Sequence, residues 1–280
     1  MSPYLKLIRF DKPVGTLLLL WPALWALLIA SSGVINIHIL LVFCFGVFLT
    51  RSAGCAINDY FDKDFDRLVD RTKDRPLAQK EIPAKHAIYL AGILFLLAFG
   101  LVLSLGNTDL IFHSFIALLL ACIYPLLKRY TFLPQMGLGL AFSYSIPMAF
   151  VAEIGFVPSI AWVLYIISVT WTLMYDTVYA MADMDDDIEI GIKSSALLFG
   201  DYIFYTIGVL QLLVIIGFIY LGYRLDFNIY YYFSIMLAAL CFLYQTKLIA
   251  QYKYIKAFKN NNIVGFLILL GMYSNSYLIF

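Results

Sequence analysis

"IHILLVFCFGVFLTRSAGCAINDYFDKDFDRLVDRTKDRP", residues 37–76, joins an apolar run to the most densely charged segment of the chain. A helix needs roughly 20 apolar residues to cross about 30 Å of hydrocarbon, and the first half of the stretch supplies them. The second half holds six of the chain's 18 acidic residues: Asp59, Asp62, Asp64, Asp66, Asp70 and Asp74. Five bases alternate with them, Lys63, Arg67, Arg71, Lys73 and Arg75. A membrane span that ends in paired acids and bases sets the problem.

The rest of the chain has the same character. Its 280 residues are 63% hydrophobic and only 13% charged, with a mean hydropathy of +0.87. Soluble domains carry about 25% charge, so a soluble globular enzyme is excluded. Windows of about 19 residues place nine spans, at 14–33, 37–57, 86–105, 109–127, 133–152, 157–180, 202–221, 229–249 and 262–280. The expected fold is therefore an all-α integral membrane protein, a single transmembrane domain over 1–280. Cys44, Cys55, Cys122 and Cys241 lie within apolar runs without paired spacing and read as small buried residues. His38, His86 and His113 have no metal-ligand spacing. No cleavable signal follows the first apolar segment, which is kept as a span.

The bases give sidedness. Of 19 Lys and Arg, 17 fall on one side of the spans: the N-terminal tail, the 58–85 loop, Lys128, Arg129, Lys193, and Lys247 to Lys259. Positive charge is retained in the cytoplasm, so the N-terminus and the 58–85 loop are expected there. Nine spans would leave the C-terminus outside. The apolar spans imply a lipid bilayer as partner, and no nucleic acid is expected; the net charge of +1 by itself says nothing of partners.

Asn58, Asp62 and Asp66 recur at i, i+4 and i+8, one stripe of a helix running past the membrane. Arg51 lies two turns earlier on nearly the same stripe. Asp176, Tyr179, Asp183 and Asp187 repeat the spacing in "YDTVYAMADMDDDIEIGIKSSALLFG", residues 175–200. The two D-x-x-x-D pairs lie 121 residues and four spans apart, so both leave the membrane on the same side and an internal pseudo-repeat is plausible. Carboxylates one turn apart, about 6 Å, repel by roughly 3 kcal/mol at an effective dielectric near 20. A hard divalent cation removes that cost. Mg²⁺ takes one or two carboxylates, waters and phosphate oxygens, and guanidinium forks match phosphate. Acids for a metal and bases for phosphate, at a membrane surface, describe a lipid diphosphate site.

Three other readings fit the residues less well. A solvated linker is the ordinary meaning of a charged loop, but two pairs in phase with their spans argue against it. An EF-hand requires Gly at the sixth position and Glu at the twelfth. Here those positions are Arg67 or Ile188, and Lys73 or Ser194. A cation transporter would place acids deep in the spans, where only Asp176 lies.

At these residues the chain resembles the UbiA superfamily of intramembrane prenyltransferases. The first family motif, N-D-x-x-D-x-x-x-D, matches Asn58, Asp59, Asp62 and Asp66, and the second, D-x-x-x-D, matches Asp183 and Asp187. "RFDKPVGTLLLLWPALWAL" (9–27), "YPLLKRYTFLPQ" (124–135) and "SIPMAF" (145–150) extend the likeness toward the branch acting on 4-hydroxybenzoate. The resemblance implies about nine transmembrane helices around a central cavity, with both motifs at its cytoplasmic mouth and a side opening for the lipid tail. It implies transfer of a polyprenyl group from polyprenyl diphosphate to the carbon ortho to the hydroxyl of 4-hydroxybenzoate, in ubiquinone biosynthesis at the bacterial inner membrane.

In that setting Mg²⁺ would lie among Asn58, Asp62, Asp66, Asp183 and Asp187. Arg67, Arg71, Arg75 and Tyr179 would meet the diphosphate or the developing cation. Asp62 and Asp183 are expected to be indispensable for turnover, and Asp183 or Asp176 is available as a base. Candidates for the acceptor's carboxylate are Arg51, Arg129, Arg9 and Lys12; the resemblance adds weight to Arg129 as a functional residue.

Overall fold

The computed structural model describes residues 1–275, and among them no strand occurs. The helices are α1 (Pro3–Leu7), α2 (Val14–Ala30), α3 (Ile37–Asp62), α4 (Ala84–Leu103), α5 (Thr108–Leu127), α6 (Pro134–Ser143) and α7 (Ser145–Ile154). They continue as α8 (Ser159–Ala180), α9 (Met184–Ile190), α10 (Ser195–Phe199), α11 (Ile203–Arg224), α12 (Ile229–Ala250) and α13 (Tyr254–Tyr273).

Asparagines start α3, α5 and α12. Asn36, Asn107 and Asn228 accept from the backbone amides of His38, Leu110 and Tyr230, satisfying donors that helix starts leave open. Pro147 has no amide to offer the Ser143 carbonyl, and the run from Pro134 to Ile154 is broken into α6 and α7 at Tyr144. Gly155 ends α7 with φ +82°, a conformation that favours glycine.

Seven helical stretches are long and apolar enough to cross a membrane: α3, α4, α5, α6–α7, α8, 195–224 and α12. The α2 helix is apolar but has 17 residues. The α13 helix begins at Tyr254, eight residues before the span read from hydropathy. Lys256, Lys259 and three asparagines occupy its first half, and hydropathy alone skips them. The two lysines are exposed, whereas the asparagines are buried or half-buried. Asn261 is fully buried and accepts from Trp171 Nε1 at 3.0 Å. The last five residues of the expected ninth span, 276–280, lie outside the described residues.

The larger core ties α2, α8, α11, α12 and α13 together. Trp25 and Trp171, both fully buried, have ring centroids 5.1 Å apart. Trp25 donates to the Gly265 carbonyl at 3.1 Å, and a Cβ at Gly265 would strike the Trp21 ring. A smaller core joins α1, α3 and α4 through Leu7, Ala53, Ala56, Ala87 and Ala91.

One expectation about the motif helices is corrected. The α3 helix carries Asn58 and Asp62 but stops there, and Asp66 lies in the following turn, its amide bonded to the Asp62 carbonyl at 2.7 Å. Likewise α8 carries Asp176 and Tyr179 and ends at Ala180, leaving Asp183 as the cap of α9. Acids at a helix C-terminus oppose the macrodipole, whereas at an N-terminus they complement it. Continuous helices through either motif would place three carboxylates at the unfavourable end. In α9 Asp185, Asp186 and Asp187 occupy the first turn, the favourable one.

Candidate active site

At one end of the bundle the ends of α3, α5 and α8 meet the starts of α2, α6 and α13 around a cavity of about 650 Å³. The anchor is Asp59, 1% exposed. It accepts from Arg9 Nη2 at 2.7 and 2.9 Å and from Arg75 Nη1 at 3.0 Å. Arg75 also donates to both oxygens of Asp66, at 2.9 and 2.8 Å. The 63–83 loop is thereby folded back over the end of α3. The Thr72 hydroxyl, donating to the Asp66 carbonyl at 3.0 Å, helps hold it there.

Arg71, from the same loop, joins the two motifs. Its Nε donates to Asp183 Oδ1 at 2.6 Å, its Nη2 pairs with Asp183 Oδ2, and its Nη1 donates to the Tyr179 hydroxyl at 2.5 Å. Its guanidinium also lies 4.7 Å from the Tyr179 ring centroid. Across the cavity Asn58 Nδ2 donates to Asp62 Oδ2 at 2.9 Å, and Lys128 pairs with the same carboxylate. Two motifs 121 residues apart in sequence thus face one space.

Asn58, Asp62, Asp66, Asp183, Asp187, Arg71, Arg75, Tyr179, Asp176 and Arg51, all picked out from the sequence, line the cavity. Arg67 and Arg129 are not among its lining residues. Arg67 donates to the Ala78 carbonyl at 2.9 Å and braces the loop. Arg129 donates to the Phe61 carbonyl at 3.0 Å, with its guanidinium 6.0 and 5.9 Å from the Phe61 and Phe65 ring centroids. Its neighbour Lys128 points the other way, into the cavity. In sequence Lys128 is only a marker of sidedness and Asp59 only a motif letter. One clue for Asp59 was its position between Asn58 and Asp62 but off their stripe, which turns it toward the arginines.

Among the described residues no three acids stand close enough to hold one ion as they are, Asp62, Asp66 and Asp183 each being turned to a base. What speaks for a cation there is the state of the carboxylates. Asp62 is 3% exposed, and its Oδ1 is buried without a hydrogen-bond partner. Burial, then the neighbouring charge of Asp183, pushes the Asp187 carboxyl up to about 7. Burial also raises Asp66, against the opposing pull of Arg75. Crowded, desolvated carboxylates of this kind gain most from a multivalent positive charge.

Deeper along α3, Arg51 Nε is buried without a partner, and its guanidinium lies 5.9 Å from the Phe142 ring centroid. Seven residues separate it from Asn58, about 10 Å along the helix. Arg51, Tyr124 and Phe142 also line a second cavity, of about 600 Å³, between α3, α4, α5 and α6–α7. Apart from Arg51 its walls carry no charge. It opens sideways between α4 and α5, where Leu96 is 71% and Phe115 56% exposed.

Comparison with known proteins gives the family. Residues 19–270 match the UbiA prenyltransferase family. A 4-hydroxybenzoate octaprenyltransferase of Photobacterium profundum is 48% identical over 272 residues, 96% of this chain and 94% of that protein. One from Coxiella burnetii is 48% identical over 275 residues, 97% of this chain and 96% of that protein. Among solved structures, a UbiA homolog from Aeropyrum pernix superposes with a TM-score of 0.82 at 23% identity, covering 92% of this chain and 97% of that one. An Archaeoglobus fulgidus homolog bound to GPP and Mg²⁺ gives 0.73 at 17% identity, covering 99% and 100%. At these identities the two structures speak for the fold. A family match across nine-tenths of the chain and near-half identity over almost its whole length establish that this multi-pass membrane protein belongs to the UbiA prenyltransferase family.

Proposed function

We propose that the protein transfers a polyprenyl group from polyprenyl diphosphate to the ring carbon ortho to the hydroxyl of 4-hydroxybenzoate, as a step of ubiquinone biosynthesis. The observation that carries the reading is the union of two unlike cavities at Arg51, Tyr124 and Phe142. One end suits a diphosphate, the other an apolar chain, and the junction suits an aromatic acid. Names of the near-half-identical relatives supply the acceptor.

Asn58, Asp62, Asp66, Asp183 and Asp187 would hold Mg²⁺. Bound there, it would neutralise the departing diphosphate. Arg71 and Arg75 would turn from their aspartates to phosphate oxygens, each exchange keeping the guanidinium paired. The bond from the allylic carbon to oxygen breaks, and the ring carbon ortho to the hydroxyl attacks that carbon. The ring then loses its proton to a base, and Asp176, which has no ion pair among the described residues, lies on the cavity wall to receive it. Arg51 is the cation we assign to the acceptor's carboxylate. About 10 Å from Asn58 leaves room for one ring between carboxylate and diphosphate. Arg129, directed at Phe61 and Phe65, serves as a brace.

The proposed setting is one domain of nine crossings, counting α2 and α13, in a bacterial inner membrane. The N-terminus and both motifs face the cytoplasm, as the 17 bases on that side suggest. Purified protein in detergent, given Mg²⁺, octaprenyl diphosphate and a panel of aromatic acids, tests the reading. Product is expected with 4-hydroxybenzoate. Equal product with homogentisate or 1,4-dihydroxy-2-naphthoate would overturn the acceptor assignment. A cation transporter would give no product and metal flux in liposomes.

A further inference from the structure

We infer that Gly46 and Gly54 act as a gauge for the prenyl chain, setting how much of it the protein buries. The inference rests on the reading above that the tail lies in the apolar cavity. Gly46, Thr50 and Gly54 follow at four-residue spacing, so one face of α3 forms part of the cavity wall. The Thr50 hydroxyl donates back to the Gly46 carbonyl at 2.8 Å and is satisfied within the helix. A Cβ at Gly46 or Gly54 would meet no heavy atom within 4 Å. Gly137, Gly217 and Gly265 differ, since a Cβ there would collide with Leu127, Ile167 or Trp21. Those glycines permit helix packing. Neither packing nor backbone conformation demands glycine at 46 or 54, yet each costs a helix interior about 0.5–1 kcal/mol relative to alanine. What glycine provides at both places is open space in the cavity.

Their depths differ. From the level of Asp62, where the diphosphate binds, Gly54 lies eight residues along α3 and Gly46 sixteen, about 12 and 24 Å at 1.5 Å per residue. An isoprene unit adds four chain bonds, about 5 Å when scaled from the three-bond reach of an extended peptide residue. A geranyl chain, of about 10 Å, ends before either glycine. A chain of five or more units passes Gly46. An octaprenyl chain, about 40 Å, also outruns the cavity, and its remainder leaves through the α4–α5 opening.

The test measures kcat/KM for octaprenyl and geranyl diphosphate with 4-hydroxybenzoate, for purified wild type, Gly46→Leu, Gly46→Ala, Gly54→Leu and Gly100→Leu. Gly100 is also without neighbours at its Cβ position but lines neither cavity. Gly46→Leu is expected to lower the octaprenyl-to-geranyl ratio at least tenfold, and Gly46→Ala to lower it less. Gly54→Leu is expected to move the onset of the loss to chains of three units, read with farnesyl diphosphate. Gly100→Leu is expected to leave the ratio at the wild-type value. Should Gly46→Leu not yield folded protein, Gly46→Ala reads the same direction with one methyl group. Unchanged ratios in folded Gly46 variants would overturn the gauge while leaving the proposed function standing. A wild type that transfers neither chain would overturn the function and the gauge with it.

Discussion

The two cavities have nearly the same size, about 650 and 600 Å³, and share three lining residues, yet different parts of the chain build them. Helix ends and a loop make the polar one, and its shape is held by ion pairs: Arg9 and Arg75 on Asp59, Arg75 on Asp66, Arg71 on Asp183, Lys128 on Asp62. The faces of helices mid-membrane make the apolar one, held by packing and a few neutral hydrogen bonds, among them Asn107 Nδ2 to the Val151 carbonyl and His113 to the Tyr144 hydroxyl, both at 3.0 Å. A prenyl diphosphate is itself divided in this way. Under the proposed function the chemistry of the head would be kept apart from the bulk of the tail, and single substitutions should separate them too.

The largest effects belong to the polar cavity. Asp62→Ala or Asp183→Ala should lower kcat about 10³-fold, since metal-based charge stabilisation is worth several kcal/mol and each 1.36 kcal/mol is tenfold in rate. Turnover assays at saturating Mg²⁺, on variants shown to be folded, measure this. Near wild-type turnover in either would remove the two-motif metal site.

Intermediate effects should divide between head and acceptor. Losing one charge-assisted bond costs on the order of 2 kcal/mol, about thirtyfold in affinity. Arg71→Ala should raise KM for the prenyl diphosphate by about that factor and leave that for 4-hydroxybenzoate nearly unchanged. Arg51→Gln should do the reverse. Initial rates with each substrate varied in turn decide between them. If Arg51→Gln weakens only the diphosphate substrate, Arg9 or Lys12 becomes the better partner for the acceptor's carboxylate.

The smallest effect is expected at Arg129. Outside the cavity, and tied to the Phe61 carbonyl, it should alter both KM values less than about fivefold on replacement by alanine, as exposed contacts are worth about 1 kcal/mol or less. A selective rise in KM for 4-hydroxybenzoate would restore it to the acceptor site.

How much of this was legible in the sequence follows the same division. Asn58, Asp62, Asp183 and Asp187 declared themselves by spacing, because repelling carboxylates demand an explanation. Arg71 and Arg75 did so as bases beside the acidic stripe whose guanidinium forks match phosphate. Helix continuity through Asp66 and Asp183 was misread, because spacing says nothing of the macrodipole that ends a helix at a run of acids. The sequence and the resemblance favour Arg129 over Lys128, whereas it is Lys128 that lines the cavity. They are adjacent, and only the direction of each side chain from the end of α5 separates cavity from brace. The apolar cavity was illegible. A void between helices depends on which faces meet, and Gly46 or Gly54 within an apolar run looks the same whether it packs or opens space.

The central claim is that the acids of both motifs bind diphosphate through a divalent cation, independently of the tail. Inorganic diphosphate carries the head alone, so thermal unfolding with and without it tests the claim directly. With Mg²⁺ and diphosphate at about 100 times Kd, the wild type should gain roughly 2.7 kcal/mol. Without Mg²⁺, or in Asp62→Ala and Asp183→Ala, that gain should vanish. Equal stabilisation by diphosphate in the presence of a chelator, or in either variant, would contradict the account.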